Sequence, residues 1–396
     1  MVNYDTVVIG GGVIGTNVAY YLSKKGVKVA LVEKEDIASG TSSRCDGNVL
    51  IADKQPGFDT KMSYASQLLF KELVSEIPYD FNYTQRGSIY IIESEEELKV
   101  AKEYVKKQVE DGYSMRMMDK SEIHEDEPYL AEDIIGGVEI SCDLSLNPMA
   151  LAFGLSLESK KNGAEIFDYT SVKGIRLDKK GAVEAVETDQ EVLITKCAVN
   201  CAGVWAPEIG NMVDIDIPIK PRQGQLLVAE KTFPVGKRKI VEFGYMMAKF
   251  GDKNYRRNVS PELEDLGIAF VFEPTQANNF LIGSSRAFFG FNTHVSIEIM
   301  RGLAERAIRF FPIMKDIHVV RAYAGLRPYV DDHMPIISKA DEIPGFYIAA
   351  GHEGDGIGLS PLTGKLISQM ITGEETIVST DSLSINRFKR GKTEKS

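Results

Sequence analysis

Several things that would have settled the class of this chain at once are scarce or missing. Its 396 residues contain no run of about 18 apolar residues, so no helix is expected to cross a bilayer. Only four cysteines occur, Cys45, Cys142, Cys197 and Cys201, and none falls in the spacing that holds an iron–sulfur cluster. Cys197 and Cys201 have a spacing that suits a metal, but no further ligands accompany them. The segment ITKCAVNCAG reads instead as a buried strand with core thiols, and no metal site is expected. A reduced, cytoplasmic compartment follows from this cysteine usage. The five histidines, His124, His294, His318, His333 and His352, make no metal-ligand pattern with Glu. Neither a Gly-x-Ser-x-Gly turn nor a Cys–His arrangement offers a nucleophile, which argues against a hydrolase. Positive charge is short as well: 46 Lys and Arg stand against 57 Asp and Glu, a formal charge of −11. That balance disfavours nucleic acid or an anionic membrane as a partner. The apolar N-terminal segment lacks a basic n-region and is interrupted by Asp5 and a glycine turn, so it is not read as a signal peptide.

What is present is a length and an apolar content fit for a soluble protein of two domains or a little more. Near the N-terminus, YDTVVI (4–9) is a short β-branched run that reads as a buried strand. Gly10-x-Gly12-x-x-Gly15 follows at once, with Val13 and Ile14 inside it, and TNVAYYLSKKG then carries helical spacing up to a C-cap at Gly26. A second strand, VKVALVE, ends in Glu33. Each part has a task in binding a dinucleotide. Gly10 permits the tight turn, Gly12 lets N–H groups approach a pyrophosphate, and Gly15 lets helix and strand pack closely. The helix N-terminus offers donors to the phosphates, and Glu33 accepts from a ribose diol. These parts do not separate NAD from FAD. The next stretch, DIASGTSSRCDGNVL (36–50), is a polar loop whose composition alone reads as a connector.

With the pattern E-K-x(5)-GTSSR-x-x-GN the chain resembles the D-amino-acid oxidase superfamily of FAD enzymes, which holds glycine and sarcosine oxidases and the β-type subunits of proline, hydroxyproline and opine dehydrogenases. The likeness continues in order through DLSLNPMALAFGL, AVNCAGVWAPEIG, IPIKPRQGQLLVAE, FLIGSSRAFFGF, RAYAGLRPYVDDHMPII and GFYIAAGHEGDGIGLSPLTGKLI. The resemblance implies an α/β plus α+β architecture: a Rossmann-like FAD-binding domain with a mixed-sheet substrate domain. The first is expected over 1–75, 141–218 and 324–390, the second over 78–140 and 219–323, with a disordered basic tail at 391–396. Non-covalent FAD is implied, since no cysteine lies near AGLRPYVDD. It implies roles residue by residue. Lys34 follows the ribose-binding Glu33, and Ser42, Ser43 and Arg44 sit near the phosphates and ribityl chain. Gly47, Asn48 and Val49 lie along the isoalloxazine, and Val172 meets the adenine through its backbone. Ala202, Gly203 and Trp205 belong to a second flavin turn, Ala202 and Gly203 passing the pyrophosphate. His352, Glu353, Gly354, Gly356 and Ile357 close over the pyrimidine end.

The implied reaction is oxidation of the C–N bond of a small amino acid or secondary amine by hydride transfer to flavin N5. Such chemistry rests on positioning, and an arginine fork is the natural clamp for a carboxylate. Arg327 of Gly-x-Arg-Pro is the first candidate, against a structural ion pair with Asp331 or Asp332. Tyr245, Met246 and Tyr323 are expected to line the pocket, and Arg286 reads as structural. Leu281 stands where the sarcosine oxidases carry an oxygen-activating lysine, which favours a dehydrogenase. A catalytic β-type subunit of a hetero-oligomer is the leading reading, with any second flavin or iron–sulfur cluster supplied only through partner subunits, and any membrane contact peripheral through them. Two alternatives remain: a stand-alone oxidase producing hydrogen peroxide, and a flavoprotein serving RNA modification or assembly. Outside the implied site, Ser94–Glu97 reads as a capping box opening a helix with Leu98, Ala101, Val105 and Val109 on one face. The pairs Glu95–Lys99 and Glu103–Lys107 mark its solvated side. Residues 250–265 read as an exposed, mobile loop, a plain surface loop ahead of a lid or a partner contact.

Overall fold

The computed structural model describes residues 3–51, 53–250, 255, 257 and 259–390. Two main sheets dominate it. The six-stranded sheet has the order Ile336–Lys339, Phe346–Ala350, Ala198–Asn200, Thr6–Ile9, Val29–Val32, Glu165–Phe167. All its pairings are parallel except that of Ile336–Lys339 with Phe346–Ala350. Its central strands are buried along their whole length, as the continuous apolar runs VVI and VALV require of a sheet covered on both faces. Helix Val13–Ser23 packs against it beside helix Gly356–Thr372, and the approach is close enough that a Cβ on Gly364 would meet Asn17 at 2.7 Å. Gly26 has φ +77 and turns the chain into the second strand.

The eight-stranded sheet runs Val319–Tyr329, Lys220–Ala229, Phe280–Gly283, Val271–Pro274, Lys239–Glu242, Ser88–Ile92, Gly136–Ile140, Met115–Asp119. It is antiparallel apart from Lys239–Glu242 beside Ser88–Ile92, and it carries its own apolar core around Phe270, Phe272, Phe310 and Phe311. This mixed α/β arrangement is the expected fold class. A three-stranded antiparallel sheet (Val172–Leu177, Val183–Thr188, Val192–Ile194) and a two-stranded ribbon (Asn48–Val49, Leu144–Ser145) complete the strands.

Some local expectations change. Ser94 does cap helix Glu95–Glu110 by accepting the Glu97 N–H, but the Glu97 carboxylate turns to the Glu93 N–H and the Tyr255 hydroxyl, so the reciprocal half of the box is absent. The buried face is Glu97, Ala101, Val105 and Gln108; Val109 is 49% exposed, because Gln108 takes the inward position to reach Thr60 and Tyr104. The ion pair on this helix among the described residues is Lys106–Glu110. Of the expected loop 250–265, residues 251–254, 256 and 258 lie outside the described residues. The rest is not a plain exposed loop. Pro261–Asp265 is a short helix capped by Ser260, and Arg257 is buried against the Glu242 carboxylate. Glu242 has no exposed surface, and a carboxylate so placed demands cations, which Arg257 and Arg306 supply. The expected tail 391–396 lies outside the described residues.

Candidate functional site

The glycine turn is built from close backbone contacts. A Cβ on Gly15 would stand 1.9 Å from the Gly10 carbonyl oxygen, and one on Gly10, at φ +110, would stand 2.6 Å from the Cys201 carbonyl oxygen. Gly12 is the N-cap of the first helix and offers no side-chain acceptor, which leaves the helix N-terminus open to a ligand. The Val13 N–H donates to Ser42 Oγ at 3.0 Å, so the polar loop and the helix N-terminus converge on one spot. At the end of the second strand the Glu33 carboxylate is fixed by the Gly11 and Glu35 N–H groups, at 2.6 and 3.0 Å. The Lys34 ammonium lies over the Trp205 ring, 3.6 Å from its centroid.

These groups border one elongated cleft of about 490 Å³ that runs between the two sheets. Gly10, Gly12, Val13, Ile14, Glu33 and Lys34 line it at the parallel sheet. Ser42, Arg44, Asn48 and Val49 line it from the polar loop, Val172 from the small sheet, and Ala202, Gly203 and Trp205 from the second turn. His352, Glu353, Gly354, Gly356 and Ile357 face it from the start of helix Gly356–Thr372, whose N-cap, Asp355, makes no side-chain capping bond. Arg327 and Tyr245 line its inner end. Five sequence candidates lie elsewhere. Gly15 sits beneath the turn. Ser43, Gly47 and Tyr323 border a second cavity of about 1190 Å³, with the Tyr323 hydroxyl donating to the Cys45 carbonyl at 3.1 Å. Met246 is buried in the core beside Tyr90 and Phe243 rather than facing the cleft; among the described side chains of helix Phe243–Phe250, that of Tyr245 lines it.

The geometry suits an extended dinucleotide. A pyrophosphate would meet the open helix N-terminus, the Ser42 loop and the second turn, where added Cβ atoms would fill the space. At the other end the His352 imidazole, Nε2 2.9 Å from Thr363 Oγ1, is pushed down to about 4 by burial against the pull of Asp355, and so is neutral at pH 7. Among the described residues no group of three or more His, Cys, Asp and Glu side chains is placed to hold a metal, and no helix is long and apolar enough to cross a membrane.

The inner end is dominated by guanidinium groups. Arg327 does not pair with Asp331 or Asp332, whose partners are Lys220 and Arg387. It donates instead to the Ser285 carbonyl at 2.8 Å and to Ser284 Oγ at 2.6 Å, both neutral acceptors. Room for it comes from the opposite strand: a Cβ on Gly224 would stand 2.3 Å from Arg327 Nη1. That glycine was readable as a mid-strand glycine marking a close approach, a signal the sequence reading left without a role. Arg222 faces Arg327 across the strand pair and is neutralised by Glu353. Lys54, fully enclosed, bridges Asp53 and Asp355 at 2.5 Å each; burial opposes its charge, but the Asp355 and Asp53 carboxylates outweigh it and raise its pKa. Arg286, read from the sequence as structural or loop-fixing, also lines the cleft, with its guanidinium 4.3 Å from the Tyr245 ring centroid.

Comparison with known proteins agrees with this site. Residues 5–370 match the family model described as FAD dependent oxidoreductase. The chain is 27% identical over 394 residues to glycine oxidase of Geobacillus kaustophilus (strain HTA426), covering 97% of each. It is 27% identical over 418 residues to hydrogen cyanide synthase subunit HcnC of Pseudomonas protegens, covering 94% of this chain and 93% of that one. The crystal structure of the Geobacillus kaustophilus glycine oxidase superposes with a TM-score of 0.86 at 26% identity, over 98% of this chain and 99% of that one. L-proline dehydrogenase from P. horikoshii, at 24% identity and a TM-score of 0.87 over 98% of each chain, shares the fold. With a cleft shaped for a dinucleotide and a family match along nearly its whole length, the chain belongs to the FAD-dependent oxidoreductases.

Proposed function

We propose that this protein oxidises the C–N bond of a small amino acid or secondary amine, with Arg327 as the clamp for the substrate carboxylate. The observation that carries the reading is the state of Arg327: a guanidinium enclosed at the inner end of the cleft, held by two neutral oxygens and left without a carboxylate. A planar fork in that condition is complementary to a carboxylate. The glycine oxidase relatives support the substrate class. FAD, when bound, supplies the hydride acceptor. The chain's own residues bind and orient: Arg327, fixed by Ser284 Oγ and the Ser285 carbonyl, holds the carboxylate, which presents the α-C–H to the cofactor side of the cleft. The cationic inner end also disfavours an ammonium and so favours the neutral nitrogen that hydride loss requires.

The cofactor is assigned to segments 1–75, 141–218 and 324–390 and the substrate to 78–140 and 219–323. In support, every strand of the parallel sheet falls in the first set, while strand Val319–Tyr329 runs through the boundary and carries Arg327. A cytoplasmic catalytic subunit passing electrons to partner subunits is the preferred form. Leu281 in FLIGSS and the relationship to a protein that is itself a subunit favour it over a stand-alone oxidase.

The test is an anaerobic spectrum of the flavin-loaded protein mixed in turn with proline, hydroxyproline, sarcosine, glycine and an opine, then opened to air. Bleaching by one amine with slow return in air is the expected result; fast return with peroxide would make it an oxidase. If no amine bleaches the flavin, the substrate class is wrong. Arg327→Ala should keep the flavin spectrum and raise the substrate requirement about 100-fold, the loss of two charge-assisted bonds. Unchanged kinetics would remove Arg327 from the site.

A further inference from the structure

A second guanidinium at the inner end, that of Arg286, has no hydrogen-bonding or ionic partner among the described residues, and its Nε is buried without an acceptor. Stacking on Tyr245 fixes the plane of the group, 4.3 Å from the ring centroid. Burial, followed by the neighbouring Arg327 and Arg222, lowers its pKa, as expected of a cation enclosed among cations.

The nearby carboxylates are already engaged. Glu353 is paired with Arg222, and Asp53 and Asp355 both hold Lys54. Asp46, which acts on Arg327, acts also on the buried Lys239. Arg286 and Arg327 are thus left as two positive charges bordering one cavity without dedicated counter-ions. The phosphates of a dinucleotide do not supply them. Their cradle is the glycine turn and the second turn of the parallel sheet, whereas Arg286 follows strand Phe280–Gly283 of the other sheet. Enclosed guanidinium groups keep their charge, so the missing anions must arrive with the substrate.

We infer that the substrate is a dianionic amine, an amino acid carrying a second carboxylate, with Arg327 taking one carboxylate and Arg286 the other. This rests on the proposed amine oxidation and narrows it. Small monocarboxylates such as glycine, sarcosine or proline would fill only half of the charge complement. The competing arrangement, in which both arginines share one carboxylate, predicts no gain from a second.

The test uses the flavin-loaded protein and a pair of ethers that cannot be oxidised at nitrogen: oxydiacetate, with two carboxylates, and methoxyacetate, with one. Calorimetry or perturbation of the flavin spectrum reads their dissociation constants. Oxydiacetate should bind at least ~10-fold more tightly, the contribution of one further charge-assisted contact. Arg286→Gln should bring the ratio toward one, and Arg286→Lys should keep part of it. Their thermal midpoints show whether each variant is folded. Equal binding of the two ethers by the natural protein overturns the inference. So does an unchanged ratio in folded Arg286→Gln. Anaerobic bleaching by iminodiacetate against sarcosine separates this failure from that of the broader reading: bleaching by sarcosine alone sinks only the dianion, while bleaching by no amine sinks both.

Discussion

Along the parallel sheet the cleft is bounded by backbone, with Gly10 and Gly12 at the first turn and Ala202 and Gly203 at the second. Along the mixed sheet it is bounded by charge, with Lys239 and Arg327 on strands and Arg286 in the segment after strand Phe280–Gly283. The first wall achieves specificity by removing side chains so that amides approach a ligand, and its tolerance is steric. The second achieves it by enclosing ionised groups, and its tolerance is electrostatic. The two should therefore fail differently when altered.

The largest effect is expected on the backbone wall. In Gly15→Ala the new methyl would stand 1.9 Å from a carbonyl oxygen, and neither atom is the end of a flexible side chain. The turn has to open, which separates the helix N-terminus from Ser42. The protein should purify nearly colourless, and the flavin absorbance per mole of protein checks it. A fully loaded, yellow variant would show that the turn yields, and the steric account would be wrong.

Charge enclosed elsewhere in the mixed-sheet half should fail through stability instead. Glu242 holds Arg306 at 2.5 Å and also holds Arg257, all three buried. Glu242→Ala leaves two enclosed guanidinium groups short of a counter-ion, and a cost of about 3–5 kcal/mol is expected. Glu93, 2.8 Å from Arg306, holds the value toward the lower end. Thermal or denaturant unfolding measures it. As a contrast, Glu305→Ala, at the solvated Arg301–Glu305 pair, should leave the midpoint where it was. Equal losses from the two substitutions would erase the distinction between enclosed and solvated charge.

The same contrast explains how much could be read in the sequence. The backbone wall was legible because steric demands write themselves as glycines at fixed spacing: strand, Gly10-x-Gly12-x-x-Gly15, helix, strand and Glu33 all stand where the pattern places them. Of the charged wall only Arg327 was legible, through the Gly-x-Arg-Pro motif. Arg286, Lys54, Asp53 and Glu242 carry no local signature, since whether a charge is enclosed depends on strands far apart in the chain. Lys54 and Asp355 are 301 residues apart. Arg257 was misread for the same reason: a polar segment looks solvent-facing until the carboxylate it neutralises is known. Met246 and Tyr323 show the opposite error, apolar or aromatic neighbours of the site drawn toward it by proximity in sequence.

A smaller effect should separate the walls by pH. Glu273, beside the polar loop and bordering the second cavity, accepts the Gly47 N–H. Its carboxyl is pushed up to about 8 by burial and by Asp46, against Lys239 and that N–H. The folded protein therefore keeps a proton that the unfolded chain releases near 4.5, and stability should fall as pH rises through this interval. Glu127, raised to about 7, and Asp143, raised to about 6, both chiefly by burial, add to the fall at lower pH. His352, lowered to about 4, acts in the other direction below 6.5, where the unfolded imidazole binds the extra proton. Between about pH 7 and 8 the decline should thus belong mainly to Glu273. Glu273→Gln imitates the protonated group and should flatten that part of the curve, so that the drop in thermal midpoint between pH 7 and pH 8.5 shrinks by roughly 1–2 °C. The two curves should converge only near pH 4.5, where the unfolded carboxyl is protonated as well. Parallel curves above pH 7 would mean that Glu273 is already ionised at neutrality, and the second cavity would then hold a charge matched by Lys239 rather than a neutral acid.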